Sequence, residues 1–579
     1  MKILILGGYG TFGGRLAHLL AQEERLTLFL AGRSIQKAKK FSERLPSGAQ
    51  KVPVFFDRNA DVEAQIREIQ PDLVVDAMGP FQIYGEDPYR VVKACVAIGV
   101  DYMDLADASD FVKGIRQFDQ EAKATDIYIL TGVSSFPVLS AAVVRKLSHD
   151  MTCVNTITAG IAPSPYAGVG LNVIRAIASY AGKPLALIRH GKPATGYALT
   201  ETMRYTICPP GRLPLNNTLF SLVDVPDLKV LPELWPELDS IWIGAGPVPE
   251  VLHRMLMGLS WLVRFRILPS LLPFASLFHF VINILRWGDH RGGMFVSVEG
   301  TNQSGKRIER SWHLLAEGGD GPFIPSMAVQ ALVLQCLAGK KPAAGARPAT
   351  HELEVADYEA IFKSHTIYTG QRESVADAES VPLYKRILGE AWEALPSPLA
   401  ALHNVAAREL KAEGIARVET GKHPLARLLA ALYGFPGPGE HVPVKVSFQR
   451  RKAGELWQRD FAGRKFSTFQ WEGHGYADKL LLEKFGPVTF CMALVLKQGE
   501  LHYVTRRWSV FGLPLPLVFA PSASVYEYAD GEDFCFHVEV KHWLMGLIVR
   551  YQGRLQVVNV STESGMEKDI HEVAVREER

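Results

Sequence analysis

The sequence predicts an α/β fold that is followed by a separate β-rich domain. Over residues 1–150, short apolar runs alternate with helical stretches, which is typical of a parallel sheet with helices on both faces. From residue 442 onward, short strand-like runs are separated by turns, which indicates an antiparallel sheet or barrel. The composition agrees, because 47% hydrophobic and 21% charged residues in a chain of 579 supply several buried cores.

We divide the chain into three domains. Residues 1–150 are predicted to form the parallel-sheet domain, residues 151–365 an inserted α/β domain, and residues 383–575 the antiparallel, barrel-like domain. The inserted domain is where we expect the substrate and the contact of a homodimer. It contains a hydrophobic segment at 251–288, and a helix at 322–337 is predicted to return the chain to the first domain.

The first domain is predicted from its apolar runs. In chain order the strands fall at 3–6, 26–30, 52–56, 73–77, 102–105 and 127–130, and the helices between them fall at 14–22, 34–45, 62–69 and 89–98. Ligands of such sheets bind beyond the carboxyl ends of the strands. The connections that follow the strands are therefore the candidate site.

A glycine-rich turn follows the first strand and opens the first helix, which is the context that the GxGxxG dinucleotide motif requires. Gly8 is expected to allow the tight turn, Gly10 the approach of a pyrophosphate, and Gly13 the close packing of helix on strand. The free N–H groups and the dipole of that helix favour the phosphate charge. The motif predicts a Rossmann-type domain that binds a dinucleotide through Gly8, Tyr9, Gly10, Thr11, Phe12 and Gly13.

The end of the second strand favours NADP(H) over NAD(H). NAD sites usually carry an acidic residue there for the ribose 2′-hydroxyl, whereas this chain has Arg33, Ser34 and Lys37 and no acid. The Arg33 guanidinium can form a fork to a 2′-phosphate, with the Ser34 hydroxyl beside it. The alternative is a solvated surface arginine.

Later connections complete the predicted cofactor site. Asp57 ends the third strand on the adenine side, and the loop after the fourth strand is expected to flank the ribose and nicotinamide through Gly79, Pro80 and Phe81.

No Tyr–Lys or His–Asp pair diagnostic of proton transfer is evident. The catalytic candidates are chosen because their connections lie at the carboxyl edge of the sheet, and they are Tyr84, Asp104 and Asp107. The two aspartates have a structural alternative as partners of loops and caps. We predict no metal site, because His537 and His542 lack a third ligand.

These motifs resemble the saccharopine dehydrogenase-like oxidoreductases. The resemblance rests on GGYGTFG, AGRS, VVDAMGPFQIYG, ACVAIGVDYMDLAD and TGVSSFPVLS in that order, and it continues through SLVDVPDL (221–228), DHRGGM (289–294) and SWHLLAEGGDGPFIPSMA (311–328). It implies an NADP-binding Rossmann domain with an inserted α/β domain, and it leaves the substrate open. Residues 454–466 and 506–528 resemble an uncharacterised bacterial domain that is often fused to oxidoreductases of this type.

The segment 251–288 contains no acidic residue and combines aromatic and aliphatic residues with four arginines. Its longest uncharged run, 267–285, has the length of a membrane span, but Pro269 and Pro273 interrupt it. Three interpretations stay open: a span, a helical hairpin in a membrane interface, and helices buried against the protein or a second subunit. Basic residues beside Trp and Phe favour the interfacial hairpin.

The interior of the barrel-like domain has two interpretations. A closed barrel can hold one apolar ligand with a polar end, or side chains can fill its interior. The residues that would contact such a ligand are Trp457, Arg459, Arg506, Arg507, Trp508, His537 and His542.

Charge and cysteine content narrow the function. With 63 Lys and Arg against 61 Asp and Glu, the chain shows no global electrostatic footprint for nucleic acid. Six cysteines without paired spacing fit a reducing cytosol. We expect a cytoplasmic NADP(H)-dependent oxidoreductase of a hydrophobic or lipid-like small molecule, in peripheral contact with the inner face of the membrane through 251–288.

Two alternatives remain. One is a non-catalytic, NADP-binding, membrane-associated scaffold or sensor, since a fold does not imply a function. The other is a reductase of an imine derived from an amino acid. That reaction needs a clamp for a carboxylate, and the inserted domain offers Arg175, Arg189 and Arg204, whose spacing does not define one.

Overall fold

The computed structural model of the chain consists of two compact units, Met1–Ala378 and Glu379–Arg579. The residues that the structure describes are 1–247, 249–374, 381–405 and 409–558. The last part of the predicted third domain, 559–575, therefore lies outside the described residues.

The first unit is an α/β structure. Its strands are β1 (Lys2–Leu6), β2 (Thr27–Gly32), β3 (Gln50–Phe55), β4 (Leu73–Asp76), β5 (Asp101–Asp104), β6 (Tyr128–Thr131), β7 (Met151–Ala162), β8 (Pro184–Arg189), β9 (Lys192–Tyr197), β10 (Thr202–Ile207), β11 (Leu215–Leu222), β12 (Ser240–Ala245), β13 (Gly292–Asn302), β14 (Arg307–Ala316), β15 (Gly345–Pro348) and β16 (Ile367–Ser374). Its helices are α1 (Thr11–Leu20), α2 (Ile35–Ser42), α3 (Val62–Ile69), α4 (Arg90–Ile98), α5 (Ser109–Gly114), α6 (Asp119–Ala124), α7 (Ser140–Leu147), α8 (Leu171–Tyr180), α9 (Asp227–Leu234), α10 (Glu250–Arg264), α11 (Ala275–Ile284), α12 (Ile324–Leu337) and α13 (Val355–Phe362).

The first sheet is parallel, in the order β15-β6-β5-β4-β1-β2-β3, which confirms the Rossmann-type prediction. Ile3, Leu4, Ile5 and Leu6 of β1 are fully buried, because helices cover both faces of the sheet. The strand order reverses between β1 and β4, and such a switch point opens a crevice at the carboxyl edge.

The return of the chain to this sheet goes further than the sequence indicates. Helix α12 packs against α1, as predicted for 322–337, and β15 then pairs in parallel with β6 as a seventh strand. Residues 340–350 are rich in Pro, Gly and Ala, a composition that is typical of a linker. Their pairing depends on a partner strand more than 200 residues away, which local composition does not reveal.

The inserted region forms a second, mixed sheet in the order β10-β11-β12-β7-β13-β14-β16. Only the β12–β7 pair in it is parallel among the described strands. The segment 251–288 forms α10 and α11, which are joined by a turn, and among the described residues no helix is both long and apolar enough to cross a membrane.

The second unit is a barrel with a helical segment before it. Its strands are β17 (Glu409–Thr420), β18 (Gly439–Arg451), β19 (Gly454–Phe461), β20 (Arg464–Glu472), β21 (Leu481–Phe485), β22 (Val488–Lys497), β23 (Glu500–Val510), β24 (Leu513–Leu515), β25 (Ser522–Asp530), β26 (Asp533–His542) and β27 (Gly546–Val558). Its helices are α14 (Leu383–Leu388), α15 (Ser397–His403) and α16 (Pro424–Leu432). Ten antiparallel strands close through the β22–β23 pair, and β24 pairs with β23, which confirms the barrel-like domain.

The segment 383–405 packs against the inward-facing side chains of the barrel. Tyr384 and His403 are fully buried, and both stack on the ring of Trp457. His403 Nε2 lies 2.6 Å from Glu527 Oε2, and the Tyr384 hydroxyl donates to Gln470 Oε1 at 2.9 Å. These contacts favour the filled interior over the ligand-binding one, because helical side chains occupy the place of a ligand.

Candidate dinucleotide and substrate site

A cavity of about 1410 Å³ lies at the carboxyl edge of the first sheet. One part is lined by the turn after β1 and by the ends of β2 and β3, where an open α/β sheet binds its ligand. The other part is lined by apolar side chains of α8, α10 and α11. The same space can therefore hold a dinucleotide and a second, hydrophobic molecule.

The glycine-rich turn is built by backbone contacts that exclude side chains. Gly7 has φ +75° and makes the turn that we assigned to Gly8, while Gly8 lies against β2, where a Cβ would be 3.0 Å from Leu30 Cα. A Cβ at Gly13 would lie 2.4 Å from the carbonyl oxygen of Gly7. The N-cap of α1 is Gly10, so its first N–H groups stay available for a phosphate.

Of the six turn residues predicted to contact the cofactor, four line the cavity: Tyr9, Gly10, Thr11 and Phe12. Gly8 and Gly13 support the turn from behind it and are not among the lining residues.

The ribose end of the cavity is formed by Tyr9 and Arg33. The Tyr9 hydroxyl accepts a hydrogen bond from the Ser34 N–H at 3.0 Å, and its ring fills the space over Gly32. The Ser34 hydroxyl caps α2 by accepting a hydrogen bond from the Lys37 N–H. Its own O–H can still donate a hydrogen bond to a phosphate. Arg33 lines the cavity, is exposed, and has no ion-pair partner in the described part of the chain, whereas Ser34 and Lys37 lie outside the lining.

We expect NADPH to bind at least about tenfold more tightly than NADH, which corresponds to about 1.4 kcal/mol. The physical reason is the unpaired Arg33 guanidinium at the ribose end and the lack of an acid after β2. Titration calorimetry of the intact protein and of Arg33→Ala tests this, and the variant should lose most of the preference. Equal affinities in the intact protein would contradict it.

Hydrogen bonds fix the two loops at which we expect the adenine and the nicotinamide. Asp57 follows β3 at the cavity edge, where its carboxylate accepts from the Asn59 N–H at 3.0 Å. Gly79 and Pro80 line the cavity, and the Asn172 amide of α8 donates to the Gly79 carbonyl at 2.9 Å. Sequence reasoning missed Asn172, because only the tertiary fold brings α8 to this loop.

Phe81 and Tyr84 belong mainly to an aromatic cluster beside the cavity. The Phe81 ring packs on the rings of Tyr84 and Phe111, so it supports the nicotinamide loop while lining the cavity at its edge. The Tyr84 hydroxyl donates to Asp76 Oδ1 at 3.0 Å, and the Arg58 guanidinium lies 3.8 Å from its ring centroid.

Tyr84 is therefore a weak proton donor. Burial raises the pKa of its hydroxyl well above the ordinary value, and the Asp76 carboxylate raises it further. Burial also raises the pKa of Asp76, to about 6. Tyr84, a catalytic candidate from the sequence, lines the cavity, but its proton is donated to a carboxylate.

Asp104 corrects the prediction for the fifth strand. It is fully buried and absent from the cavity lining, and its Oδ1 accepts from the Thr131 hydroxyl and from the N–H groups of Gly132 and Ala106. These bonds join the ends of β5 and β6. Asp104 is therefore a structural residue of the sheet edge, since a side chain this deeply packed cannot reach a substrate.

Asp107 is the predicted acid that faces the cavity. Its side chain is open to the cavity, and Oδ1 accepts from the Gln82 amide at 3.1 Å. Loss of solvent raises its pKa to about 6, and the like charge of Asp224 adds to the effect. A carboxyl with such a pKa exchanges a proton near neutral pH.

Asp224 and Tyr180 complete this acidic corner of the cavity. Both line the cavity, and burial raises the pKa of each, well above the ordinary value for Tyr180. Asp224 hydrogen-bonds Ser109 at the start of α5. Asp224 lies in the motif 221–228, which contributed to the family resemblance. The sequence alone did not indicate a role for Asp224 in the site.

The second part of the cavity is apolar. Side chains from α10 and α11 form its wall, among them Leu252, Leu256, Leu259, Phe278 and Ile282. His253 also lines it, but burial lowers its pKa to about 4, and its Nε2 lies 2.7 Å from the Ser221 hydroxyl. The histidine is therefore neutral at physiological pH, and the wall carries no positive charge from it.

The three arginines considered as a carboxylate clamp have different surroundings. Arg189 pairs with Glu201, and Arg204 pairs with Glu250, so both charges are compensated within the protein. Arg175 of α8 lines the cavity and has no ion-pair partner among the described residues. The structure therefore brings one of the three to the cavity, not all of them together.

The parallel sheet, the glycine-rich turn and the cavity at the carboxyl edge define a dinucleotide-binding protein of the Rossmann class. Residues 3–130 match the saccharopine dehydrogenase NADP binding domain, which confirms the resemblance read from the motifs. The N-terminal region is thus an NADP-binding domain of the oxidoreductase class. Residues 395–555 match a domain of unknown function, DUF4166, which confirms a separate, uncharacterised C-terminal domain.

A curated relative is a lipid droplet localized protein of Caenorhabditis elegans, 25% identical over 205 residues, which are 32% of this chain and 47% of that protein. The chain thus spans about half the length of the curated relative that it matches. Among solved structures, saccharopine dehydrogenase (L-Glu forming) from Saccharomyces cerevisiae is 13% identical with a TM-score of 0.46, over 65% of this chain and all of that one. A probable dehydrogenase from Thermotoga maritima is 10% identical with a TM-score of 0.30, over 64% and 98%.

Proposed function

We propose that the protein is an NADP(H)-dependent oxidoreductase that acts on a hydrophobic, lipid-like small molecule. The observation that carries this proposal is that one cavity joins a glycine-rich turn suited to a dinucleotide to an apolar wall of α10 and α11. Deep apolar pockets with few polar groups bind apolar ligands and use those groups to orient them.

The chemistry divides between cofactor and protein. When bound, NADP(H) supplies or accepts the hydride. Gly10 and the first N–H groups of α1 bind the pyrophosphate, and Arg33 binds the 2′-phosphate. Asp107 holds the exchangeable proton at its carboxyl group, and Gln82 orients that carboxyl. The apolar wall excludes water from the reacting atoms.

The cavity opens where apolar side chains are exposed. Met255 and Leu277 line the cavity and are also more than half exposed, so its mouth lies beside the outer face of α10 and α11. We propose that this face rests on the inner surface of a membrane, from which the substrate enters. The name of the Caenorhabditis elegans relative is in keeping with a lipid surface. Coverage by a second copy of the chain is the competing arrangement.

Only one face of the segment 251–288 is buried against the protein, as one of the three interpretations of this segment requires. His253, Ser260, Val263, Leu271 and Ala275 pack inward. The outward set is large and apolar, and it comprises Val251, Met255, Phe265, Ile267, Phe274, Leu277, Phe280, Ile284, Leu285 and Trp287.

Substitution of Leu256 by Trp tests the substrate class. We expect Leu256→Trp to raise the KM for a long-chain aldehyde with NADPH about tenfold, because the indole fills the apolar wall, and to leave the NADPH Kd unchanged. Val251→Trp is the matched control, since Val251 is exposed on the same helix and outside the cavity. The measurement is NADPH oxidation against aldehydes of increasing chain length.

Other outcomes of this assay identify the alternatives. NADPH binding without turnover of any long-chain aldehyde or alcohol would indicate the scaffold or sensor. Turnover with an amino acid plus an oxo acid, lost in Arg175→Ala, would indicate the imine reductase, because Arg175 is the cavity arginine without a carboxylate partner among the described residues.

A further inference from the structure

The two ends of the C-terminal barrel differ in character. Because neighbouring strands are antiparallel, the connections 421–438, 462–463, 486–487, 511–521 and 543–545 all lie at one end, which we call the apolar end. The other end, which we call the polar end, carries 452–453, 473–480, 498–499 and 531–532.

The apolar end exposes large hydrophobic side chains on three separate connections. Every residue from Phe511 to Phe519 is exposed, and the exposed fraction reaches 83% for Phe511. Trp543 and Leu544 are exposed in the turn after β26, whose last residues pair with the start of β25. The set is therefore continuous in space at the end of β25 and β26.

Helix α16 extends this surface. Leu425, Leu428 and Leu432 are spaced three and four residues apart, so they share one helix face, and all are exposed. Ala426 and Ala430 are buried on the inward side. The N–H of Gly421, just before the helix, donates to the carbonyl of Ile548 in β27, which places α16 beside the turn at 543–545. Its leucines thus join the apolar end.

Carboxylates follow the same division. The five connections of the apolar end contain no Asp or Glu but include Lys422 and Arg427, both exposed and without an ion-pair partner among the described residues. The connections of the polar end contain two carboxylates, Asp478 and Glu532, beside two lysines, Lys452 and Lys479. Tyr476 is the exposed large hydrophobic side chain in the described connections of that end.

We propose that the apolar end of the barrel docks on an anionic lipid surface. Exposed apolar surface of this extent marks an interaction site. Aromatic and aliphatic tips flanked by cations and free of carboxylates suit a bilayer interface with negative headgroups, since the tips enter the acyl boundary while the cations stay at the headgroups. The tips project on loops and a helix face, which fits a planar lipid surface. The proposal is independent of the oxidoreductase activity.

Sedimentation of the full-length protein with vesicles tests the proposal. We expect pelleting with phosphatidylcholine vesicles that contain phosphatidylglycerol, less with phosphatidylcholine alone, and release by high salt. The combined variant Phe511→Ser, Val518→Ser, Phe519→Ser should lower the partition coefficient by about tenfold or more. Lys422→Glu with Arg427→Glu should weaken binding to the anionic vesicles only.

Controls keep the result specific. Tyr476→Ser at the polar end should bind vesicles as the intact protein does. Phe511→Ser alone tests a side chain that is too exposed for its loss to affect folding. Phe280→Ser with Ile284→Ser separates the contribution of α11. The proposal is overturned if the intact protein stays in the supernatant, as a site for a protein partner would predict, or if the combined variant pellets as well as the intact protein while the α11 variant does not.

Discussion

Replacement of Asp107 by Asn should lower kcat by about 100-fold or more and leave the Kd of NADPH unchanged. Asp107 faces the cavity beside Asp224 and Tyr180, and loss of solvent raises its pKa to about 6. The amide preserves the size of the side chain and the contact with Gln82 but cannot give up a proton. The loss should therefore appear in kcat, because ground-state binding of the cofactor is untouched.

The pH dependence of turnover gives a second readout for Asp107. In the direction of substrate reduction the carboxyl acts as the acid, so kcat should fall as the pH rises through about 6. In the direction of oxidation it acts as the base, and kcat should rise over the same range. Asp110→Asn is a matched control, since Asp110 is exposed and outside the cavity. Unchanged kcat in Asp107→Asn would contradict the role.

The dinucleotide turn could be predicted in detail because its determinants are local. A strand, closely spaced glycines and a helix are adjacent in sequence, and the steric limits at Gly13 arise from Gly7 only six residues away. The positive φ of the turn lies at Gly7, one residue before the predicted Gly8. Two consecutive glycines can each adopt a positive φ, so the sequence does not distinguish them.

The proton-transfer candidates were less predictable. Asp104 and Asp107 follow the same strand, and sequence places both at the carboxyl edge of the sheet. The depth of Asp104 depends on the end of β6, where Thr131 and the following Gly132 donate to its carboxylate and hold it inside. Asp224 reaches the cavity from more than 100 residues further along the chain, so no local pattern could pair it with Asp107.

The same difference between local and long-range determinants decides which features of the barrel could be predicted. Alternation along the strands predicted a barrel-like sheet, because each strand has an inward and an outward face. The packing of the helical segment 383–405 inside the barrel rests on Trp457, Gln470 and Glu527. These residues come from strands far along the chain, so no local pattern could show the packing.

Stability of the first unit should fall as the pH rises from about 4 to about 8. Asp104 and Asp227 are fully buried, and burial raises the pKa of each to about 7, above the value of about 3.9 in an unfolded chain. The native state therefore binds more protons than the unfolded state across this window. The free energy of unfolding then decreases with pH, since ionising a buried carboxyl is unfavourable.

Asp227→Asn should flatten that dependence, because the amide stays neutral at every pH. Asp227 accepts a hydrogen bond from the Ser140 hydroxyl, and an amide oxygen can accept the same bond. A difference of about three pKa units corresponds to at most about 4 kcal/mol, so at pH 8 the variant should unfold at a higher temperature than the intact protein. Below about pH 4 the two should be close, since the carboxyl is then protonated in both the native and the unfolded state. Calorimetric scans across this range measure the effect, with exposed Glu68→Gln as the control. A variant that is less stable than the intact protein at pH 8 would show that Asp227 is held as a carboxylate.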